Sequence, residues 1–376
     1  MYGDQLITGD SLPAMALCLT FDDGPGGPGD RARRQYRSRK PWIGPRTLDL
    51  AQYLSDQDVP ATFFMVGKFA SDLPEILPQI ESLGHLIGNH TYDHPNLVDY
   101  AAAGGDVVSQ VARTDGLVHN WIDAPVVFFR PPYGSWDPNV AASLNSNMTA
   151  ALSHLGPIGW DIDAGDWASW KNGQDPQTCS KNYMQEIETK GRRGIILMHD
   201  CSADMEVAKR ANRTFELVQL LIPVLKQRGY QLVRLDKVPD IIDRMQSTLR
   251  IALRGSNGFY VSPQGGGGGN IKINGQALGP WEPLIMEDLH VGKVALVATN
   301  GQYVSPQNGG GGDVLANGLA VREWERLDLI SLGVNQVAFR TATGHFLTCA
   351  DDGSLDATSR SNSLQTSNVF TYEYLP

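Results

Sequence analysis

The chain has 376 residues, of which 41% are hydrophobic and 19% are charged, and its formal net charge is -10. This length and composition are typical of a globular protein with about two domains. The acidic charge argues against a nucleic-acid partner, and because no run of eighteen apolar residues occurs, the sequence predicts no membrane span.

Residues 1–246 alternate short, continuously apolar segments with longer amphipathic ones. This alternation predicts an α/β domain in which helices wrap a parallel sheet. A complete or incomplete barrel and an open doubly wound sheet both fit, and in either the chemistry belongs at the C-terminal ends of the strands. The predicted strands are residues 14–21, 61–66, 126–130, 158–163, 195–199 and 231–235. The predicted helices are residues 47–57, 73–84, 177–190 and 205–229.

The first of five polar clusters, TFDDGP at residues 20–25, ends the first predicted strand. A turn explains Gly24 and Pro25 but not the two adjacent carboxylates of Asp22 and Asp23. Paired carboxylates after a buried apolar run are costly unless one of them binds a cation or a basic partner.

The second cluster, NHTYDH at residues 89–94, contains His90 and His94. Four residues apart, they share one face if the segment is helical, and both can then reach one metal ion. Such a pair alone is usually coincidental. With Asp22 or Asp23 it becomes a set of two histidines and one carboxylate, which leaves coordination positions for water and substrate.

The other three clusters each have an ordinary structural explanation. Arg130 precedes two prolines that fix the backbone, residues 160–167 bring carboxylates and indoles to one strand end, and His199 ends an apolar strand. A surface turn or a buried core histidine accounts for each separately. Five polar clusters at five C-terminal strand ends are nevertheless hard to explain by structure alone.

The segments TFDDGP, HTYDH, RPPYG, DAGDW and LMHD, in this order, resemble the five motifs of the polysaccharide deacetylases, carbohydrate esterase family four. The resemblance covers about residues 14–240, and no motif is missing. It implies a distorted (β/α) barrel and a hydrolase that removes acetyl groups from a glycan. It also implies a divalent metal, zinc or another such as Co²⁺ or Ni²⁺, bound by Asp23, His90 and His94.

The same resemblance implies the roles of the catalytic residues. Asp22 is the general base for the attacking water, and Arg130 pairs with it and holds it ionised. The backbone N–H of Tyr133 stabilises the oxyanion. His199 protonates the leaving group, with Asp166 holding its cationic form. The residues that line the substrate pocket are Tyr133, Trp167 and Leu197.

Three functions are compatible with this resemblance. The leading hypothesis is the hydrolysis of N-acetyl groups on N-acetylglucosamine units of chitin, its oligomers or peptidoglycan-type polymers. The alternative is an acetylxylan esterase that uses the same site, and a more distant one is a non-catalytic glycan-binding protein. We expect an acetylated polysaccharide or oligosaccharide as the partner of a monomeric, secreted or extracellular protein, although the N-terminal segment has no signal-peptide pattern.

Residues 31–40, shortly after the first cluster, contain six arginine and lysine residues. They form either a solvated loop that meets the domain's own acidic surface or a lip over the active site that contacts an anionic or long glycan.

The four cysteines are too few for a disulfide scaffold and lack zinc-site spacing. Cys18 lies inside an apolar strand, which predicts a buried free thiol. Only Cys179 and Cys201 are plausible partners, and the sequence leaves open whether they are bonded.

Residues 249–376 form a second predicted domain, rich in glycine and without helical periodicity. IALR, VALV and VAFR recur at a spacing of 43 residues (251, 294 and 337), as do GFYVS, GQYVS and GHFLT (258, 301 and 344). Three repeats of four short strands predict a β-trefoil, in which each repeat buries its apolar face against the others. The pattern resembles fascin-like trefoils. The domain is either a structural appendage or a glycan-binding module.

Overall fold

A computed structural model describes residues 2–27, 43–124, 126–146, 154–247, 250–289, 292–333, 335–359 and 363–375. The chain divides into two compact units, one made of Tyr2–Ser143 and His154–Arg244, the other centred on Met245–Pro376. We call them the catalytic-cluster unit and the all-β unit. The basic segment 31–40, and with it the choice between a solvated loop and an active-site lip, lies outside the described residues.

The catalytic-cluster unit is built on short strands, several of which are buried on both faces. They are β1 (Tyr2–Ile7), β2 (Ala16–Gly24), β3 (Ala61–Met65), β4 (Leu86–Asn89), β5 (Val127–Phe128), β6 (His154–Ile158), β7 (Gly194–His199) and β8 (Gln231–Val233). Every residue of β2 and β3 is buried. Burial on both faces is the physical reason for their continuously apolar sequences.

Helices connect these strands. They are α1 (Thr47–Asp56), α2 (Gly67–Asp72), α3 (Leu77–Ser82), α4 (Leu97–Ala102), α5 (Val107–Val118), α6 (Pro138–Asn145), α7 (Asp166–Lys171), α8 (Pro176–Thr189), α9 (Glu206–Arg210), α10 (Thr214–Gln227) and α11 (Pro239–Ser247). Polar caps determine where some of them begin. At α8 the Asp175 side chain accepts a hydrogen bond from the backbone N–H of Thr178, and Pro176 occupies the first turn. In the described residues no helix is both long enough and apolar enough to cross a bilayer.

The strands of this unit form two parallel sheets. One has the order β4-β3-β2-β7, with β8 also paired to β2, and the other has the order β1-β6-β5. Single parallel bridges pair Asn89 of β4 with Phe129, which follows β5, and Ile196 of β7 with Ile162, which lies four residues after the end of β6. The strands therefore follow one another around a ring, and their C-terminal ends lie on one side of it.

A single apolar core holds these strand ends in place. Phe21 of β2 and Phe63 of β3 stack with ring centroids 5.1 Å apart. Leu54, Tyr183 and Leu221, from α1, α8 and α10, belong to the same buried cluster. Burying a side chain of this size contributes roughly 1.5–3 kcal/mol. The core thus provides a rigid base for the polar groups beyond the strand ends.

The α/β architecture predicted from the sequence is confirmed, although individual elements differ. The strand predicted at residues 158–163 is wrong, because the strand of this region, β6, ends at Ile158. Its sequence does not read as a strand, since it contains Gly156 and Pro157. The single helix predicted at 205–229 is two helices, α9 and α10. The side chain of Asn212 lies between them and donates to the carbonyl of His199, which fixes the chain in a non-helical turn.

All four cysteines are buried and free. The disulfide considered between Cys179 and Cys201 is therefore not formed. Cys179 lies in α8, whereas Cys201 follows β7. The Cys201 side chain packs against Gly26 so closely that a Cβ added to this glycine would lie 2.7 Å from the Cys201 Sγ.

The all-β unit consists of short antiparallel strands. They are β9 (Arg250–Arg254), β10 (Tyr260–Pro263), β11 (Ile271–Gly275), β12 (Leu284–Asp288), β13 (Lys293–Val297), β14 (Tyr303–Pro306), β15 (Val314–Gly318), β16 (Leu327–Gly333), β17 (Gln336–Arg340), β18 (Phe346–Cys349), β19 (Leu355–Ser359) and β20 (Phe370–Tyr374). Six of them pair in the order β9-β12-β13-β16-β17-β20, and β20 pairs again with β9. This ring has no unpaired edge. The hairpins β10–β11, β14–β15 and β18–β19 accompany it at matching places in the three repeats.

A buried polar side chain recurs at the same position of each repeat (282, 325 and 368). Glu282 and Glu325 each accept one hydrogen bond from a serine hydroxyl and one from a backbone N–H three residues earlier. The donors are Ser262 and Gly279 for Glu282, and Ser305 and Arg322 for Glu325. Asn368 likewise accepts from the backbone N–H of Gln365, 2.9 Å away. Each of these buried side chains is thus tied to the backbone three residues earlier, and this hydrogen bond locks the turn between them.

Replacing Glu325 by alanine should lower the free energy of unfolding of the full chain by about 1–3 kcal/mol, because the buried Ser305 hydroxyl loses its acceptor and the Arg322 N–H no longer fixes the turn. Chemical denaturation measures this loss. Glu323→Ala, which removes the same charge from an exposed position two residues away, is the control and should change the value by less than about 0.5 kcal/mol. Equal losses in the two variants would show that the buried carboxylate does not lock the turn.

Candidate active site

The charge of a fully buried arginine organises one side of the site. Arg130 follows β5 and donates from Nη1 to Asp22 Oδ1 at 2.8 Å and to Thr20 Oγ1 at 2.7 Å. Its Nη2 and Nε donate to the carbonyls of Gly159 and Ile158 at 2.8 and 3.2 Å. The guanidinium thus has a counterion and its donor groups have acceptors, as a buried cation requires. Asp22 in turn is fixed at the end of β2 beside a permanent positive charge.

Asp23, His90 and His94 form a compact, buried group. Their potential ligand atoms all lie within 4.8 Å of one another. Asp23 Oδ1 is 3.6 Å from His90 Nε2 and 3.0 Å from His94 Nε2. Burial raises the pKa of the Asp23 carboxyl, but hydrogen bonds from the two histidines outweigh it and hold this pKa well below its usual range. The carboxylate is therefore ionised at neutral pH.

The second nitrogen of each histidine is also held. His90 Nδ1 lies 2.7 Å from the carbonyl oxygen of Arg130, and His94 Nδ1 lies 2.7 Å from Asp204 Oδ2. Each acceptor favours the tautomer with the proton on Nδ1, so that Nε2 can act as a ligand. Two imidazole nitrogens and one carboxylate oxygen at these distances fit a divalent metal ion.

The backbone conformation that brings the two histidines together is not the helix that their spacing suggests. Residues 90–95 are not helical. Thr91 and His94 instead have positive φ angles of 66° and 62°, which turn the chain tightly after β4. The ring centroids of His90 and His94 are 4.9 Å apart. The helical interpretation of the spacing is therefore wrong, although the side chains do converge.

A second histidine–carboxylate pair lies across the site, at the end of β7. His199 Nδ1 is 2.8 Å from Asp166 Oδ1, and the backbone N–H of His199 donates to the other Asp166 oxygen at 2.8 Å. Thr214 also donates to Asp166, at 3.1 Å. Burial lowers the pKa of His199, but the charge and hydrogen bond of Asp166 prevail and raise it to about 10. His199 is thus protonated at neutral pH.

A pocket of about 320 Å³ connects these groups. Of the ten site residues expected from the sequence, eight line it: Asp22, Asp23, His90, His94, Tyr133, Trp167, Leu197 and His199. The other two, Arg130 and Asp166, lie one hydrogen bond behind Asp22 and His199. Five further residues complete the lining: Trp160, Asp163, Ser202, Asp204 and Met205.

Comparison with known proteins agrees with this geometry. The family model for polysaccharide deacetylases matches residues 10–151. A chitooligosaccharide deacetylase of Azorhizobium caulinodans is 31% identical over 224 residues, which are 58% of this chain and 91% of that protein. The chain belongs to the polysaccharide deacetylase family.

Two further relatives are deacetylases of other polysaccharides. A peptidoglycan-N-acetylglucosamine deacetylase of Bacillus cereus is 27% identical over 58% of this chain and 66% of its own length. Chitin deacetylase 1 of Saccharomyces cerevisiae is 29% identical over 57% of this chain and 62% of its own length. This protein is accordingly a polysaccharide deacetylase, a member of a family of metal-dependent hydrolases.

One residue of this deacetylase's pocket, Asp204, has no counterpart in the sequence prediction. Its carboxylate accepts hydrogen bonds from His94 Nδ1 and from the hydroxyl of Tyr133. The preceding residue, Ala203, donates its backbone N–H to Asp23 Oδ2 at 2.9 Å. Residues 203–204 therefore hold two of the three potential metal ligands as well as the Tyr133 side chain.

Replacing Asp204 by alanine should weaken metal binding about 10–100-fold, because His94 loses the acceptor that orients its ring. Titration of the metal-free protein with Zn²⁺, followed by calorimetry, measures this change without any substrate. Glu206→Ala is the control, since it removes the same charge from an exposed side chain two residues away. If both variants bind metal equally well, Asp204 contributes only to the charge of the region.

The pKa of His199 generates a prediction for the pH dependence of activity. A general acid works only while protonated, so activity should persist to about pH 10 and fall above it. Asp166→Asn removes the largest factor that raises the pKa of His199. In a plot of activity against pH, the decline on the alkaline side should therefore shift to lower pH by about one unit or more.

Asp163→Asn is the matched control for Asp166→Asn. Asp163 lines the same pocket, and the structure gives its side chain a hydrogen bond to the backbone N–H of Gly165 instead of to His199. Asp163→Asn should therefore shift the alkaline decline of activity by less than Asp166→Asn does. The same movement in both variants would contradict a specific pairing of Asp166 with the acid.

Proposed function

We propose that this enzyme removes acetyl groups from N-acetylglucosamine units of a chitin-type or peptidoglycan-type polysaccharide or oligosaccharide. The observation that carries the proposal is a single pocket in which a carboxylate paired with Arg130 and an imidazolium paired with Asp166 flank a group of metal-ligand type. The named relatives deacetylate chitooligosaccharide, peptidoglycan and chitin, which supports this substrate class.

Asp22 acts as the general base in this proposal. Its Oδ1 is held by Arg130, and its Oδ2 lies 3.6 Å from His90 Nε2, so the second oxygen faces the metal-ligand group. It accepts a proton from the water whose oxygen attacks the acetyl carbonyl carbon. Arg130 holds this carboxylate in place and provides it with a permanent positive counter-charge.

Asp23, His90 and His94 would hold the metal ion, for which we propose zinc. When bound, a divalent ion supplies Lewis-acid polarisation of the acetyl carbonyl and of water. The two outer hydrogen bonds, from His90 to the Arg130 carbonyl and from His94 to Asp204, keep the imidazoles in ligand orientation.

His199 completes the reaction from the other side. As the tetrahedral intermediate collapses, the C–N bond breaks, and His199 gives its proton to the sugar nitrogen, which leaves as an amine while acetate is formed. The backbone N–H of Tyr133 stabilises the oxyanion. Trp167 and Leu197 enclose the acetyl methyl group. An amine leaves far less readily than an alcohol without protonation, so the strongly supported acid favours an amide over the O-acetyl ester of xylan.

We also propose fold assignments for both units. The ring of parallel strands supports a distorted (β/α) barrel for the catalytic-cluster unit. The closed ring of six strands, the three hairpins and the repeated buried side chain support a fascin-like β-trefoil for the all-β unit.

Two substitutions separate the roles of the adjacent carboxylates. Asp22→Asn should reduce turnover by at least about 100-fold while the protein retains its metal, because only the base is lost. Asp23→Asn should reduce turnover and also weaken metal binding. Acetate release and metal content, measured on the same preparations, test both expectations. Equal metal loss in the two variants would mean that the assignment of the pair is wrong.

Acetate release from a panel of acetylated glycans, with and without a chelator, tests the substrate class. We expect release from chitooligosaccharides or peptidoglycan fragments that stops with the chelator. Release from acetylated xylan alone would replace this proposal with the esterase.

A further inference from the structure

We propose that Trp281 and Trp324 of the all-β unit are two equivalent platforms for sugar rings, which bind the polysaccharide that the catalytic-cluster unit deacetylates. The identity of this polysaccharide rests on the proposed function. The binding sites themselves rest on the structure of the all-β unit.

The two tryptophans occupy the same position in successive repeats. They are 43 residues apart (281 and 324), and each side chain is 41% exposed. The third repeat has Ser367 at this position, so the unit carries two such sites. A single exposed apolar residue is ordinary, but the same exposure of an indole at two equivalent positions indicates a common role.

Both indoles are presented by a rigid backbone. Each tryptophan directly precedes one of the buried glutamates, Glu282 or Glu325, whose two hydrogen bonds lock the turn. Because the glutamate side chain is directed inward, the tryptophan beside it is left at the surface. A ligand that stacks on the indole therefore has little ordering of the protein to overcome.

A glycine-rich loop supports one edge of each indole. A Cβ added to Gly266 would lie 3.6 Å from Trp281 Cδ1, and one added to Gly309 would lie 3.2 Å from Trp324 Cδ1. Both glycines have positive φ angles, 82° and 74°, so the loops require glycine at these positions. The Cδ1 edge of each indole thus lies next to its glycine-rich loop.

Polar side chains lie beside each loop, again at equivalent positions. In one repeat Asn300 Nδ2 donates to Gln302 Oε1 at 2.7 Å, and in the next Thr343 Oγ1 and His345 Nδ1 are 2.8 Å apart. A Cβ on Gly268 would be 3.4 Å from Gln302 Oε1, and one on Gly311 would be 3.7 Å from His345 Nε2. Each site thus combines one exposed indole with amide, hydroxyl or imidazole groups.

This combination suits an uncharged sugar ring. The face of an indole carries negative potential and attracts the positively polarised C–H bonds on one face of a pyranose. The amide, hydroxyl and imidazole groups at the rim can bond the sugar hydroxyls and the N-acetyl group, as polar groups do in other small-ligand sites.

Two sites on one unit favour a polymer over its fragments. A chain long enough to contact both platforms binds the second one intramolecularly, and this raises the overall affinity by about 10²–10⁴-fold. An oligomer too short to reach both gains nothing from the second site.

Binding of the full-length protein to insoluble chitin, measured as the bound fraction at increasing chitin, tests the proposal. Wild type should bind, each single variant Trp281→Ala and Trp324→Ala should bind at least about a hundredfold more weakly, and the double variant should lose binding. Trp324→Phe should restore much of the affinity, since an aromatic face remains. The ratio of deacetylation rates on chitin and on a soluble oligomer should fall in the same order.

Leu319→Ala is the control, because it removes an apolar but non-aromatic side chain from a residue of the same unit that is 86% exposed. It should bind chitin like wild type, and the thermal unfolding midpoints of all variants should agree. Failure of the wild type to bind chitin, or unchanged binding by the double variant, would overturn the proposal. So would lower unfolding midpoints that account for the binding loss, because the indoles would then only stabilise the loops.

The binding assay needs no catalysis, so it separates this proposal from the proposed function. If the protein binds chitin through the two tryptophans but releases no acetate from chitin, chitooligosaccharides or peptidoglycan fragments, the substrate assignment fails and the binding sites stand. If acetate is released but chitin binding does not depend on the tryptophans, the proposed binding sites fail and the substrate assignment stands.

Discussion

The buried positive charge of Arg130 is the constraint on which the catalytic-cluster unit depends. A guanidinium away from water needs a counterion and an acceptor for each of its donor groups. Asp22 and Thr20 on β2 supply some of these, and the carbonyls of Ile158, the last residue of β6, and of Gly159 supply the others. Because β2 and β6 belong to different sheets, the hydrogen bonds of Arg130 form only when both sheets end at the same level. The polar groups of the site therefore help to determine the fold that carries them.

The sequence predicts those strands that are buried on both faces, because such strands consist almost entirely of apolar residues. β2, β3 and β7 are buried along almost their whole length and read as apolar runs. β1 is not predicted, because three of its six residues are exposed. β6 contains Gly156 and Pro157, which disfavour strands, and exists because β1 and β5 pair with it on either side. Such a strand is specified by its neighbours, which a single sequence does not reveal.

The same distinction applies to the site. Short local motifs at the C-terminal ends of strands contain Asp22, Asp23, His90, His94 and His199, so sequence suffices to find them. Asp204 has no such motif, and its two partners, His94 and Tyr133, are 110 and 71 residues away along the chain. Only the folded structure brings these three together. The convergence of His90 and His94 was predictable, but its cause, a turn with positive φ angles in place of a helix, was not.

The closed ring of the all-β unit has a consequence for biosynthesis. Its first strand, β9, pairs with its last, β20, with Ile251 opposite Tyr374 and Arg254 opposite Thr371. Until the ribosome has delivered β20, one side of β9 and one side of β17 present unpaired N–H and C=O groups. Contacts this distant along the chain form slowly, and the partly made sheet is open to pairing with other nascent chains in the meantime. The pairing of β20 thus covers both open strand edges, those of β9 and β17, in a single step.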